Sequence, residues 1–339
     1  MAKGKFMAVG ENIHCTRIYK VGGEFVKETP DQGWAIVYKD GGREKRLPVP
    51  KDIREGGDWA AGKVKHAAIG IWQGLYGDSA GQKASAEYLA YMVRVQEAHG
   101  AHFLDLNVDE FSTEIEERRK VMQWAAGALQ RVTSVPLSID SSNVDILEAG
   151  LAACDRSKGR PLVNSVSLER KQSIRAAAAA KAAVIAAAGG ENAMPATKEE
   201  RLANIERLLA LLAKEGIGLG EAYLDPLVFP VSVDPGNGRM ILDSVEELRK
   251  KYGAAVHFAP GLSNISYGMP NRKLINQVFT RLCVQHGLDG GIVDPLQIND
   301  AALAKLDEGS ESFRLARAFL LGEDQFGMKY ITAVRAGRL

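Results

Sequence analysis

The fold is decided by short apolar runs such as HFLDLN at residues 102–107, PLSID at 136–140 and AYLD at 222–225. Each run has the length of a buried strand and ends in an acidic residue or an asparagine. Five further runs have the same length and apolar character: FMAVGEN at 6–12, PLVN at 161–164, AAVIAAA at 182–188, AVHFAPGLSN at 255–264 and GGIVD at 290–294. All but AAVIAAA also carry a polar end. A core strand has no packing use for such an end, so the pattern predicts a functional site.

Helical patterns separate most of these runs. They lie at 83–100, 113–132, 144–152, 168–180, 198–215, 240–252, 272–286 and 300–305, with a further one at 312–321. Ser142, Asn143 and Asn271 are predicted to be helix N-caps. Eight buried strands alternating with helices are typical of a (β/α)8 TIM barrel. The carboxyl ends of its strands share one mouth, so we expect the polar strand ends to meet there.

The composition limits the function classes. A length of 339 residues allows one barrel, which typically takes about 250 residues, with an insertion, so a single domain over 1–339 is predicted. The net charge of +1 gives no basic surface field for nucleic acid. The N-terminal sequence does not resemble a signal peptide, and no apolar run reaches the ~18 residues of a membrane span. Cys15, Cys154 and Cys283 lie far apart in the sequence, which disfavours disulfides. These features predict a cytoplasmic protein.

The first strand is followed by an unusually long connection. Loops between a strand and its helix usually take about 2–6 residues, yet the next strong helical pattern begins near Lys83. We therefore predict an insertion over 15–82. It contains strand-like runs at 24–27 and 34–38, and Asp40-Gly41-Gly42 predicts a hairpin. The insertion is interpreted either as a lid or partner-docking platform beside the mouth, or as a tolerated surface elaboration.

The polar strand ends are rich in carboxylates and amides. They are Glu11, Asn12, Asp105, Asn107, Asp140, Asn143, Asn164, Asp225, Asn264 and Asp294. A carboxylate accepts two N–H bonds from an amidine-like edge, and an amide offers a donor beside an acceptor, so this set suits a flat, nitrogen-rich heterocycle such as a pterin. For single residues a structural role is the alternative: Asn143 as a helix cap, and Asp294 as a turn residue before Pro295.

Other kinds of site find little support. The strand ends lack a Ser/His/Asp or Cys/His arrangement and a lysine for a Schiff base. The glycines of 216–220 precede a strand, which is the wrong context for a dinucleotide site. His14 and Cys15 would be only two ligands, so no metal site is predicted.

The chain resembles the pterin-binding methyltransferases that move a methyl group between tetrahydrofolate and a corrinoid protein. The resemblance covers the first strand and about residues 83–300, and its most specific part is the GLSN…NR…LIN pattern. The matching segments are GENI at 10–13, LDLNV at 104–108, IDSSN at 139–143, VNS at 163–165, YLDPL at 223–227, GLSNIS at 261–266, NR at 271–272, LIN at 274–276 and VD at 293–294.

The resemblance implies a (β/α)8 barrel and a set of site residues. Asp140, Asn164 and Asp225 would hold the hydrogen-bonding edge of the pterin, and Asn264 would lie near N5, the atom that bears the methyl group. Asn264, Asp225 and Asp140 are therefore the catalytic candidates. The remaining residues of the implied pterin site are Glu11, Asn12, Asp105, Asn107, Asn143, Gly261, Ser263, Ser266, Arg272 and Asp294.

The resemblance also implies substrates and a partner. Tetrahydrofolate and 5-methyltetrahydrofolate would be substrates, and cobalamin would arrive on a separate corrinoid-carrying protein, because the chain has no DxHxxG-type segment. The helix at 312–321 suggests a possible homodimer. Two alternatives remain: an enzyme like dihydropteroate synthase, and a non-catalytic pterin-binding barrel. The first is disfavoured because residues 263–266 read SNIS where that enzyme carries a cation.

Overall fold

The computed structural model describes residues 5–339. Its strands, numbered along the chain, are β1 (Met7–His14), β2 (Ile18–Lys20), β3 (Val26–Glu28), β4 (Trp34–Asp40), β5 (Arg43–Pro48), β6 (Lys63–Lys65), β7 (Ala101–Asn107), β8 (Leu137–Asp140), β9 (Leu162–Val166), β10 (Ala183–Ala187), β11 (Ala222–Asp225), β12 (His257–Phe258) and β13 (Gly290–Val293).

The α-helices follow the strands as the alternation predicts. They are α1 (Lys51–Arg54), α2 (Gly57–Ala60), α3 (His66–Tyr76), α4 (Ser79–Ala98), α5 (Ile115–Gln130), α6 (Val144–Ala152), α7 (Lys171–Ala179), α8 (Lys198–Lys214), α9 (Asn237–Tyr252), α10 (Arg272–Gln285), α11 (Asp300–Ala304), α12 (Glu311–Leu320) and α13 (Met328–Arg335). Among the described residues, no helix is both long and apolar enough to cross a membrane.

Eight strands form one sheet in the order β12-β11-β10-β9-β8-β7-β1-β13. The pairings within it are parallel, for example Leu224 opposite Phe258 and Val9 opposite Ile292. The two end strands also meet, because the Ile292 amide donates to the Pro260 carbonyl over 2.9 Å. Eight parallel strands with helices between them confirm the predicted (β/α)8 class.

Two compact units divide the chain. The first contains the residues up to Gly10, His99–His102 and Leu162–Leu339, and the second contains Glu11–Ala98 and Phe103–Pro161. Each has its own apolar interior: Ile185, Leu224, Phe258 and Phe279 are fully buried in the first unit, and Leu104, Leu106 and Ile139 in the second. The proposed single domain over 1–339 stays a prediction.

The segment between β1 and α4 has secondary structure of its own. Strands β3, β4 and β5 form an antiparallel sheet, and the predicted hairpin is present at Gly41 and Gly42, whose φ values of 58° and 79° favour glycine. Strands β2 and β6 pair antiparallel, with Lys20 opposite Lys63. The two ends of the segment between these strands therefore lie next to each other.

Three details of the sequence prediction are wrong. The seventh strand, predicted over 255–264, covers only His257–Phe258, because Pro260 has no N–H for the ladder and a 3₁₀ helix over Leu262–Ser266 follows. Strand β1 continues to His14, so Glu11 and Asn12 lie inside it rather than at its end. Asn271 occupies an N-cap position, but its φ of 47° is left-handed and its side chain caps nothing.

Candidate active site

His14, Asp105 and Asp140 form a cluster in the second unit, here called the carboxylate cluster. His14 ends β1, Asp105 lies within β7 and Asp140 ends β8. The His14 Nε2 atom is 2.5 Å from Asp105 Oδ2 and 3.7 Å from Asp140 Oδ2. The side chains of His14 and Asp140 are 16% and 22% exposed, whereas Asp105 is fully buried. A ligand therefore reaches Asp140 more readily than Asp105.

The shortest contact in this cluster is the hydrogen bond between His14 and Asp105. One ligand atom from each of the three residues lies within 4.8 Å of the others, which is close enough to consider a cation. Two atoms bound to one ion at about 2.0–2.2 Å would sit roughly 3 Å or more apart. His14 and Asp105 are closer, at a hydrogen-bond distance. The neighbouring thiol of Cys15 is buried, and burial raises its pKa to about 12.

The cluster shifts the proton affinities of its members. Burial and, next to it, the neighbouring Asp105 charge raise the pKa of Asp140 to about 7, although His14 and the hydrogen bond from Asn107 act to lower it. For His14, burial lowers the pKa, but the hydrogen bond that its ring donates to Asp105 and the charges of Asp105, Asp140 and Glu11 outweigh burial, so the pKa lies above 6.5. The site therefore stabilises the imidazolium form of His14 relative to a free histidine, and Asp140 changes charge near neutral pH.

Two of the predicted amides have structural partners. Asn107 donates from Nδ2 to Asp140 Oδ2 over 3.0 Å and accepts from the Asp109 amide, so it fixes one oxygen of Asp140. Asn143 accepts from the amides of residues 145 and 146, which confirms its predicted role as the N-cap of α6. Asp109 in turn accepts hydrogen bonds from Ser141 and from the amide and hydroxyl of Ser142, just after β8.

The two predicted residues of β1 face existing partners. The Glu11 side chain pairs with Arg17 over 2.5 Å, and the backbone N–H of Asn12 donates to Gln96 Oε1 over 3.2 Å. Both side chains are half-buried. Neither of these contacts involves the carboxylate cluster. The role of Glu11 and Asn12 in pterin binding stays a prediction.

The first unit holds the second acidic candidate, Asp225, at the end of β11. Its Oδ1 atom accepts from the Leu227 amide over 2.8 Å. Burial raises the pKa of Asp225 to about 7, while that hydrogen bond and the charge of Arg201 lower it. Arg201 is 1% exposed and donates from Nε to the Pro226 carbonyl over 2.9 Å. It therefore supports the chain directly after Asp225.

Asn264 lies on a 3₁₀ helix in the Asn264 loop, residues 261–266. Its side chain is exposed. Arg272 braces the loop, because it donates from Nε to Ser266 Oγ over 2.9 Å and from Nη2 to the Ser263 carbonyl over 2.8 Å. A Cβ atom on Gly261 would lie 3.1 Å from the Asn264 Nδ2 atom. Gly261, Ser263, Ser266 and Arg272 thus have a visible role in placing Asn264.

Two candidates remain in the first unit. Asn164 lies within β9 and is half-buried. Asp294 accepts from the Leu296 amide over 3.0 Å and from Gln297 Nε2 over 2.6 Å, so it has the turn role that the sequence offered as its alternative. Contact of either residue with a pterin stays a prediction.

Sequence reasoning missed His14, Asp109 and Arg201. His14 was considered only as half of a metal pair with Cys15, although the alternation of buried Ile13 and Cys15 around it indicates that β1 continues. Arg201 offered a weak signal: a charged residue on the apolar face of the helical pattern at 198–215, next to buried Ile205 and Leu208.

Comparisons with known proteins identify a family and several relatives. The family model described as "Pterin binding enzyme" matches residues 78–294. The chain is 29% identical over 245 residues to methylcorrinoid:tetrahydrofolate methyltransferase of Eubacterium limosum, which covers 71% of this chain and 84% of that protein. It is 31% identical over 216 residues to methionine synthase of Mycobacterium leprae, covering 59% of this chain but only 17% of that protein.

A solved structure shares the fold. Dihydropteroate synthase from Xanthomonas albilineans, in complex with 7,8-dihydropteroate, has a TM-score of 0.53 at 15% identity and covers 94% of this chain and 95% of that chain. At this identity the likeness supports the barrel alone. The family match spans more than half of the chain and includes Asp105, Asp140, Asn164, Asp225 and Asn264. This protein belongs to the pterin-binding enzyme family.

Proposed function

We propose that this protein transfers a methyl group between N5 of tetrahydrofolate and the cobalt of a corrinoid carried by a separate protein. The observation that carries the proposal is the similarity to methylcorrinoid:tetrahydrofolate methyltransferase, which extends over 84% of that protein. The residues fit the chemistry as well, since Asp140 and Asp225 are half-buried carboxyls and Asn264 presents an exposed amide. In this proposal both carboxyls accept N–H bonds from the pterin, and Asn164 is a further hydrogen-bonding partner.

In this proposal Asn264 assists the departure of N5 from the methyl group. A methyl group on a neutral tertiary amine leaves poorly, because N5 would depart as a strong base. When N5 carries a proton, the C–N5 bond breaks with its electron pair going to N5, and the electron pair of cobalt(I) forms the new bond to carbon. Asn264 can accept from the protonated N5 through its carbonyl oxygen without itself changing charge. In the opposite direction, the N5 lone pair attacks the methyl group of methylcobalt, the cobalt–carbon bond breaks with its electron pair going to cobalt(I), and N5 then releases its proton.

The first test uses free methylcobalamin under anaerobic conditions in dim light. Its absorbance is followed with the purified protein, with and without tetrahydrofolate. We expect tetrahydrofolate-dependent loss of the methylcobalt spectrum and formation of 5-methyltetrahydrofolate. Saturable tetrahydrofolate binding without reaction would indicate that the corrinoid protein is obligatory. Absence of both reaction and binding would contradict the proposal.

Variants separate the proposed roles. Asn264→Ala should lower turnover far more than tetrahydrofolate affinity, because its hydrogen bond strengthens in the transition state. Asp140→Asn and Asp225→Asn should weaken tetrahydrofolate binding. Asn192→Ala, at an exposed loop position of the first unit, is the matched control and should change neither quantity. An equal loss of binding in all three site variants would contradict this division of roles.

We further propose that the segment over 15–82 serves the corrinoid protein, as a docking platform or as a lid. The paired strands β2 and β6 bring Val21 close to Gly62, so a short glycine linker can join these two residues in a deletion variant. The deletion should reduce turnover with a corrinoid protein more than turnover with free methylcobalamin. Unchanged turnover with the corrinoid protein in a folded deletion variant would contradict this role. A homodimer stays a prediction, to be checked by light scattering.

The dihydropteroate synthase alternative is less well supported. Its specific test is incubation with a dihydropterin pyrophosphate and 4-aminobenzoate. We expect no dihydropteroate, and its formation at a useful rate would replace the methyltransferase proposal.

A further inference from the structure

The carboxylate cluster places two acidic side chains close together, with His14 next to both of them. Asp105 and Asp140 lie on neighbouring strands, and two nearby carboxylates resist ionising together. The His14 imidazole contacts Asp105 at 2.5 Å and reaches to 3.7 Å from Asp140. An imidazolium at this place offsets one negative charge next to both carboxylates.

The other charged and polar groups around the cluster do not take over this role. Arg17, three residues after His14, pairs with Glu11 at 2.5 Å, so this pair carries no net charge. Asp109 adds a further negative charge that acts on Asp140. Asn107 donates a neutral hydrogen bond to Asp140 Oδ2. His14 is therefore the cation that faces the two carboxylates.

We propose that His14 is a positioning residue for the pterin, whose imidazolium keeps the Asp140 carboxyl ionised so that it can accept N–H bonds from the substrate. This inference rests on the proposed function and deepens it. The pterin edge presents N–H donors to Asp140. If Asp140 were protonated, its O–H donor would face the N–H donors of the pterin, and Asp140 would lose one acceptor position. Because Asn107 donates to Oδ2 of Asp140, the charge state of Asp140 decides whether its other oxygen presents an acceptor or an O–H donor to the pterin.

The test is the pH dependence of tetrahydrofolate binding, measured anaerobically by calorimetry between pH 5.5 and 9.5. In the wild type, affinity should fall as the pH drops through about 7, where Asp140 gains its proton. In His14→Gln, which keeps a neutral N–H donor, this fall should move up by about one pH unit, since an opposite charge at this range shifts a pKa by roughly 1–3 units. The ionised fraction at pH 7 then drops from about one half to about one tenth, so binding weakens about fivefold.

Two further variants separate charge from shape. His14→Lys restores a cation and should return the fall in affinity toward the wild-type pH. His286→Gln, at the C-terminal end of α10, is the matched control and should leave the profile unchanged. A purely structural role for His14 would weaken binding equally at every pH and would not be repaired by lysine.

The outcomes are distinct. If the wild type binds tetrahydrofolate but His14→Gln has the wild-type profile, the inference is overturned while the proposed function stands. If the wild type does not bind at any pH, the proposed function fails and this inference with it. Should His14→Gln not fold, NMR of the wild type titrates the His14 ring directly: a pKa above 6.5 that falls in Asp140→Asn supports the inference, and a pKa at or below 6.5 overturns it.

Discussion

Removal of the buried Arg201 guanidinium tests the strongest polar support in the first unit. Arg201 is 1% exposed, donates to the Pro226 carbonyl over 2.9 Å and to the Thr197 carbonyl over 3.1 Å, and lies 5.0 Å from the centre of the Phe229 ring. These contacts join the start of α8 to the chain after Asp225. We expect Arg201→Met to weaken both the fold and the site.

The magnitude follows from the contacts. Each hydrogen bond from a charged donor contributes about 1.5–3 kcal/mol, and its loss leaves a buried carbonyl without that donor. Burying an uncharged methionine removes the desolvation cost of the cation, which offsets part of this loss. Taken at the low end, two bonds predict a fall of about 3 kcal/mol in the free energy of unfolding. Domains have only about 5–15 kcal/mol in total, so the change is readily measured.

The assay is urea unfolding followed by far-ultraviolet circular dichroism at pH 7. Arg207→Met is the matched control, because Arg207 lies on the same helix but is 57% exposed and pairs only with Glu191, at 3.1 Å. The control should change stability by less than about 1 kcal/mol. If Arg201→Met costs no more than Arg207→Met, the reasoning from its two carbonyl contacts is refuted. Arg201→Met should also raise the pKa of Asp225, since the Arg201 charge lowers it.

Three further changes test other parts of the structure by the same unfolding assay. Asn143→Ala removes the cap of α6 and should cost about 1 kcal/mol while leaving tetrahydrofolate affinity unchanged; a loss of affinity would return Asn143 to the pterin site. Gly238→Ala places a Cβ atom 2.0 Å from the Leu320 carbonyl oxygen and should cost about 1–3 kcal/mol, whereas Gly220→Ala, with no atom within 4 Å, should cost much less. Asp225→Asn should stabilise the unliganded protein at pH 8 but not at pH 4, because a carboxyl whose pKa is raised from 3.8 to about 7 on folding loses its stabilising contribution as the pH rises between those values. An equal effect at both pH values would contradict the raised pKa.

Strand positions and polar strand ends could be predicted because both follow from local pattern. Buried runs such as 102–107 and 222–225 have the apolar character of barrel strands, and the parallel topology brings their carboxyl ends to the same edge of the sheet. The family resemblance then supplied the role of Asn264 near N5, which no local pattern indicates. The same local reasoning missed the strand break after Phe258, where the effect of a single proline outweighs an apolar run of ten residues.

The roles of individual side chains could not be predicted from the sequence, since they depend on neighbours that are distant along the chain. Asp105 and Asp140 look alike as strand ends, but one is fully buried against His14 and the other is partly exposed. Arg201 and Arg207 stand six positions apart on one helix, and only the structure shows that the first is buried and the second is in solvent. Charge states follow from such differences in burial, so they were also beyond the sequence.

If the proposed methyl transfer is correct, the raised pKa values of the three cysteines have a consequence for the fate of the methyl group. A thiolate is a competing methyl acceptor wherever methylcobalt is handled, and a thiol becomes reactive as its thiolate. Burial raises the pKa of Cys15 and Cys154 to about 12 and that of Cys283 still higher, so very little thiolate exists at neutral pH. We expect mass spectrometry after turnover to show an unmethylated chain. The cysteines would then escape methylation by the bound methyl donor. This holds even for Cys15, which directly follows His14 of the carboxylate cluster.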